Sequence, residues 1–283
     1  MAAVKAADVK KLRDKTGAGM LDCKNALAQA EGDFAQAEKI LKEMGMATAA
    51  KRSGRATNEG RIFTQIGEKR AVLLELACET DFVARNKDFI ALGEDLASTI
   101  VEKDLTEKTE ELEEKVKEAI GRIKENMHLK RFTGFSIGTQ ELVRDYIHGE
   151  GNIGVLVKLS GDSREVLQHE AVQRFALDCA MHIAAFNPQY LNRDNVDSVY
   201  QQEQEAIFRK QAENLDKPAH VIDGIVKGKM NKHFSEVCFL EQGFVKDEKQ
   251  SVAQMAKNVG KEAGGEINIE NFYYYKVGEG DEE

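Results

Sequence analysis

Along the first 45 positions, apolar residues recur at helical spacing in three short bursts. Val4, Ala7 (or Val9) and Leu12 form one face that ends at TGAG, Met20, Cys23 and Leu27 form a second, and Phe34, Ala37, Ile40, Leu41 and Met44 form a third behind Asp33, a candidate N-cap. Helices this short need one another, because most helical stability comes from packing an amphipathic face. MATAAKRSGRATNEG at 46–60 is small, basic and glycine-punctuated, which predicts a linker or a lightly packed arm.

The period changes from residue 61. RIFTQIG and RAVLLELAC read as a hairpin, and NKDFIALGEDLASTIV follows as a helix with Phe89, Leu92, Leu96 and Ile100 on one side. The same order returns in VRDYIHGEGNIGVLVKLSGD and EVLQHEAVQRFALDCAMHIAAF. Aligning the two stretches gives offsets of 83 to 86 residues, which predicts two copies of one strand-strand-helix unit. Between them lies a charged helix with Leu112, Val116, Ile120 (or Ala119) and Ile123 inward. After the second copy, two helices broken by DKP predict a projecting antiparallel hairpin, with Val199, Ile207 and Leu215 on one apolar face and Val221, Ile225 and Phe234 on the other. The expected finish is a strand at EVCFLEQGFV, a helix at SVAQMAKNVGKEAG, a strand at EINIENFYYYKV and a disordered acidic tail.

Composition narrows the class of function. With 283 residues, 42% hydrophobic and 31% charged, the chain has material for a sizeable core. Its net charge is −9, with +3 on residues 1–60 and −12 on the rest, which disfavours a protein whose main work is neutralising phosphates. Cys23, Cys78, Cys179 and Cys238 stand far apart among apolar neighbours and read as buried free thiols in a reducing compartment. No run approaches a membrane span and the first residues lack a leader pattern, so the expected location is cytoplasmic.

The usual catalytic devices are missing from the sequence. His169-Glu170 has no second histidine at zinc-site spacing, and GIVKGKM at 224–230 has three residues between its glycines and Met where a phosphate loop needs Ser or Thr. TGAGMLDC lacks a third glycine and follows no strand. The expectation is a binding protein that is not an enzyme, carries no cofactor or metal and binds no nucleotide itself. A thiol or acid/base enzyme using Cys78 or His182 is the opposing class.

CETDFVARN at 78–86 follows the apolar run AVLLELA and sets an acid beside a phenyl ring where a strand should end. On the local reading, Thr80 or Asp81 caps a short turn and Phe82 folds back as a hydrophobic staple. Alternatively, Phe82 stays proud of the connector as an anchor for a partner's pocket.

LRDKTGAGMLDCKNAL, TDFVARN, HGEGNIGVLV, AMHIAAFNP, EVCFLEQGFVKD and YYYKVGEG, in that order along nearly the whole chain, resemble the elongation factor Ts family, the guanine-nucleotide exchange factors for elongation factor Tu. Gly243 departs from the resemblance, since the family usually has Pro there. The resemblance implies an α+β fold with an N-terminal three-helix module like a ubiquitin-associated domain, a core of two related halves and an inserted antiparallel helical hairpin. The implied division is 1–55 for the module and linker, 56–139 for the first core half, 140–193 with 237–277 for the second, 194–236 for the hairpin and 278–283 for the tail. It implies that Thr80, Asp81, Phe82 and Val83 enter the nucleotide-binding domain of elongation factor Tu and dislodge its Mg2+, and that His148 lies at the same interface. Arg13, Met20, Leu21 and Lys24 would touch that domain from another side. For His148 the local alternative is a turn histidine bonded to its own backbone. Of Met20 and Leu21, about 100° apart on a helix, at most one is expected to face the helical core. The implied partner is that GTPase, with no direct nucleic acid and no membrane, and the rival class is an adaptor whose three-helix module binds other proteins.

Overall fold

The computed structural model describes residues 4–215 and 217–280. It is a mixed helical and sheet structure that divides into two compact units. One takes the chain as far as Gly134 together with Ile147–Gly154 and the segment from Tyr275, and the other takes Phe135–Tyr146 and Val155–Tyr274.

The first unit begins with α1 (Ala6–Thr16), α2 (Met20–Gln29) and α3 (Phe34–Arg52). Gly17 closes α1 in the left-handed region, its N–H donating to the Arg13 carbonyl, and the Asp33 carboxylate caps α3 by accepting from the Gln36 N–H. Val9, Leu12, Cys23, Ala26, Leu27, Ala37 and Ile40 make their common core. The predicted linker is corrected here, because α3 continues through 46–52 and buries Ala49 in the main core of the unit. Its small residues are the reason. A Cβ on Gly121 would stand 2.7 Å from the Cα of Gly45, so the two glycines let α3 lie backbone to backbone on the charged helix.

β1 (Glu59–Ile66) pairs antiparallel with β2 (Arg70–Cys78), from Glu59 opposite Cys78 to Ile66 opposite Ala71. After α4 (Asp81–Ala84) come α5 (Lys87–Glu102), α6 (Glu110–Ile123) and β3 (Met127–Ser136), which lies next to β2. Phe89, Leu92, Leu96 and Ile100 of α5 and Leu112, Val116, Ala119 and Ile120 of α6 fill the core against the sheet. β3 is absent from the predicted elements. Its Lys130 and Arg131 both turn toward the buried carboxylate of Glu75.

The second half repeats the plan with β4 (Glu141–His148), β5 (Ile153–Gly161), α7 (Arg164–Gln168) and α8 (Glu170–Phe186). The expected single helix is split at His169, whose backbone is extended and whose Nδ1 accepts from the Ala171 N–H. α9 (Ser198–Glu213) and α10 (Ala219–Val237) form the helical hairpin. The predicted apolar face of α9 is not a seam, since Val199, Ile207 and Leu215 are all exposed. Leu215 lies beyond the end of α9, and the eight-residue step from Val199 to Ile207 turns the helix by about 80°, so the three do not line one seam. Tyr200 and Phe208 instead meet His233 of α10, and Arg209 pairs with Asp223 at 2.7 Å. GIVKGKM lies inside α10, so it is no loop.

The chain ends with β6 (Gly243–Phe244), β7 (Asp247–Ser251), α11 (Val252–Glu262) and β8 (Ile267–Lys276), and β4, β5 and β8 form the second three-stranded sheet. The strand expected at 236–245 shrinks to two residues. Cys238 and Phe239 are both fully buried, and a 3-10 turn at Phe239–Glu241 takes the place of the middle of the expected strand. Gly243 sits at the register shift between β6 and β7, where a Cβ would come 2.9 Å from the Glu248 carbonyl oxygen. Of the expected disordered tail, Gly278–Gly280 are placed and 281–283 lie outside the described residues.

Candidate functional site

β2 delivers the chain from a fully buried run to the half-buried Glu79 and Thr80. Thr80 caps α4, its Oγ accepting from the Val83 N–H at 3.3 Å. The local reading of the sequence therefore holds for the cap. It fails for the staple, because Phe82 is 81% exposed, the most exposed of the large hydrophobic side chains described. Val83 and Ala84 turn inward instead, so a single turn of helix divides its residues between the core and water.

The backbone beneath that ring is locked by residues the sequence reading missed. Glu125, just beyond α6, accepts from the Thr80 N–H at 3.1 Å and from its hydroxyl at 2.9 Å. Glu79 accepts from the Asn126 N–H at 2.6 Å and from Arg55 at 3.2 Å, with Arg52 at 3.7 Å. The Asn126 N–H, and then the two guanidinium groups, hold the Glu79 carboxyl below its usual range. The Cys78 thiol donates to the Thr80 carbonyl at 3.2 Å, and burial followed by the charge of Glu125 pushes its pKa up to about 12. It is a packed, neutral thiol, and all four cysteines are buried and free.

Arg85 extends the site sideways. It lies 3.4 Å from Asp81 and 3.4 Å from Glu150 in the turn after β4. That turn opens with His148, which is exposed, and runs through Gly149, Glu150 and Gly151 at φ of 58°, 57° and 97°. Three successive left-handed residues make an unusual reversal, and the outer two are glycines that adopt it without a Cβ penalty. A side chain on Gly151 would meet Arg61 at 2.2 Å, so the turn rests directly on β1.

The structure thus brings Thr80–Val83 and the His148 turn together through Arg85. Arg13, Met20, Leu21 and Lys24 lie apart on the three-helix core, Arg13 in the last turn of α1 and the others at the start of α2. All four are exposed. Met20, expected on the apolar face with Cys23 and Leu27, is corrected to the surface: it is 50% exposed and Leu21 68%, within the limit of at most one facing inward, and Cys23, Ala26 and Leu27 fill the inner face. Among the described residues no group of His, Cys, Asp and Glu is arranged to hold a metal ion, and no helix is long and apolar enough to cross a membrane.

Together, fold and site define a class: an α+β protein with a helical N-terminal module that presents an aromatic side chain outward from a locked turn. Residues 79–279 match the family model described as elongation factor TS. Over 277 residues the chain is 49% identical to the elongation factor Ts of Treponema denticola, covering 98% of this chain and 99% of that one. It is 45% identical to that of Borrelia recurrentis, covering 96% and 98%, and 42% identical to that of Borreliella burgdorferi, covering 98% and 100%. The chain belongs to the elongation factor Ts family.

Proposed function

We propose that the chain is a cytoplasmic guanine-nucleotide exchange factor that binds elongation factor Tu carrying GDP, displaces Mg2+ and promotes GDP release so that GTP can enter during translation elongation. The observation that carries the reading is Phe82, held 81% exposed on a turn whose first residue, Thr80, is bonded to Glu125 through both its N–H and its hydroxyl. An exposed single aromatic is ordinary, but one on a frame this constrained loses little further freedom when a partner buries it.

The chemistry needs no general acid or base, because no covalent bond breaks. The factor binds the empty GTPase better than the loaded one, and linkage requires that it weaken nucleotide by the same factor. Burying one Phe supplies about 1.5–3 kcal/mol, and each tenfold loss of nucleotide affinity needs about 1.4 kcal/mol of such differential contact. Removing a divalent cation from between phosphate oxygens leaves those anions uncompensated and adds to the effect. In this account Phe82 makes the decisive contact, Val83 anchors the turn from within, Thr80 and Asp81 shape it, and His148 lies beside it. Arg13, Met20, Leu21 and Lys24 make a second contact through the module at 1–55. The core halves at 56–139 and at 140–193 with 237–277 are the frame. The chain itself takes no cofactor, metal, nucleotide or nucleic acid.

The test is release of a fluorescent GDP analogue from elongation factor Tu with the chain present at a small fraction of the GTPase. Acceleration of release from many GTPase molecules per molecule of chain is the expected result. A rate equal to spontaneous release contradicts the proposal.

A further inference from the structure

β2 is buried along nearly its whole length, yet it carries a carboxylate in its middle, Glu75, only 1% exposed. A buried charge is costly unless it is fully partnered. Glu75 is partnered by its neighbour strand and by the C-terminal segment. Its Oε2 accepts from Arg131 Nε at 2.7 Å, Lys130 Nζ stands 3.7 Å from Oε1, and Oε1 also accepts from the Gly278 N–H at 3.0 Å. Arg131 carries the clamp further. Its guanidinium lies 4.0 Å from the centre of the Tyr275 ring, and it donates to the Lys276 carbonyl at 3.2 Å.

The segment fixed in this way reaches the candidate site. Between the two anchored residues, the Val277 N–H donates to the Asn152 carbonyl at 2.9 Å, and the Asn152 N–H donates to the Gly149 carbonyl at 3.1 Å. Asn152 therefore ties the end of the chain to the left-handed turn that follows His148. One non-glycine residue of that turn, Glu150, sits at positive φ, a conformation that persists only where the surroundings enforce it. The Arg61 side chain packs against Gly151 of the turn, and Arg85 pairs with Glu150 at 3.4 Å. Val277 supplies the third restraint.

We propose that the C-terminal segment Tyr275–Gly280, anchored on Glu75 and Arg131, is a positioning element of the exchange site that sets the pose of the His148 turn through the Val277–Asn152 hydrogen bond. The inference rests on the exchange reading above. It makes Val277 a positioning residue through its backbone, so no side-chain change at that position would reveal it.

The test uses the full chain with Val277→Pro, which removes that N–H donor, and His148→Ala, separately and combined. GDP release from elongation factor Tu is followed at rising concentrations of each chain, so that the maximal rate and the half-saturating concentration are read apart. Losing one hydrogen bond of ordinary net worth predicts that Val277→Pro lowers the maximal rate about two- to tenfold, with little change in half-saturation and a loss of thermal stability no larger than that of one such bond. His148→Ala lowers it as well. Adding Val277→Pro to His148→Ala then produces no further loss, because both act through one turn.

A Val277→Pro chain with an unchanged maximal rate overturns the proposal. So does a double variant in which the two losses multiply, or a His148→Ala chain as fast as the parent. If Val277→Pro fails to fold, a chain ended after Lys276 is read by the same three criteria. If neither variant folds, the segment is a general element of stability and the proposal is likewise overturned. Failure of the exchange reading itself is distinguishable, since the parent chain would then not accelerate release at all.

Discussion

Phe82→Ala separates stability from function. In the free protein the ring is 81% exposed, so its removal takes away few contacts, and thermal stability is expected to stay within about 0.5 kcal/mol of the parent. The turn beneath it keeps its bonds, because Glu125 and Val83 engage the backbone and side chain of Thr80 and not the ring. On the proposed reading the complex buries the same ring, and its loss then costs about 1.5–3 kcal/mol of differential binding. At about 1.4 kcal/mol per decade this is an about ten- to 150-fold slower release of GDP. Asp81→Asn is the internal comparison, since the Asp81–Arg85 pair is exposed and worth under about 1 kcal/mol. Stopped-flow release of a fluorescent GDP analogue reads both variants. An unchanged rate for Phe82→Ala, or a larger effect from Asp81→Asn, would refute the reasoning.

Glu125→Ala removes the acceptor for two Thr80 donors, bonds worth about 1.5–3 kcal/mol each when the acceptor is charged, less what water restores at a part-buried site. Amide hydrogen exchange at Thr80–Val83 is expected to speed up while α1–α3 stay protected, and unchanged protection would show that Glu125 does not hold the turn. Gly121→Ala presses a methyl group into the Gly45 backbone and is expected to cost about 1–3 kcal/mol in thermal unfolding, with faster proteolysis at 46–60. A stable, protease-resistant variant would mean that α3 does not need its close approach. His182 accepts from the Val245 N–H through Nδ1 and meets Gln242 through Nε2. Burial lowers its pKa from 6.5 against the opposing effect of Gln242, so the neutral ring is the folded form. Its contribution is fully present above pH 6.5 and is lost as pH falls through the folded value, which denaturant titrations on either side of pH 6.5 will detect. His182→Asn, which keeps an acceptor for Val245, is expected to flatten that dependence.

What the chain reveals by pattern alone follows from the range of the forces involved. The helix faces of α5 and α6 and the β1–β2 hairpin are local, and their spacing was sufficient to place Phe89, Leu96, Leu112 and Val116 in the core. The repeat was visible for the same reason. The stretch from Met46 reads as a linker because small residues serve two opposite purposes, loosening a linker or letting helices approach, and only Gly121, more than 70 residues on, decides between them. Glu75 and Glu125 carry no signal of their own. Each is meaningful through partners 56 and 45 residues away, and a carboxylate in a strand or at a helix end otherwise reads as solvated. The exposure of Phe82 is a matter of which neighbour turns inward. Val83 does, and nothing in TDFV alone forced that choice.

The central claim is that this chain prefers an emptied GTPase, and its most direct measurement is equilibrium affinity for elongation factor Tu in two states, nucleotide-free and loaded with GDP and Mg2+. The account predicts tighter binding to the empty form, by a factor equal to the weakening of GDP in the presence of the chain. Equal affinity for the two forms would contradict it.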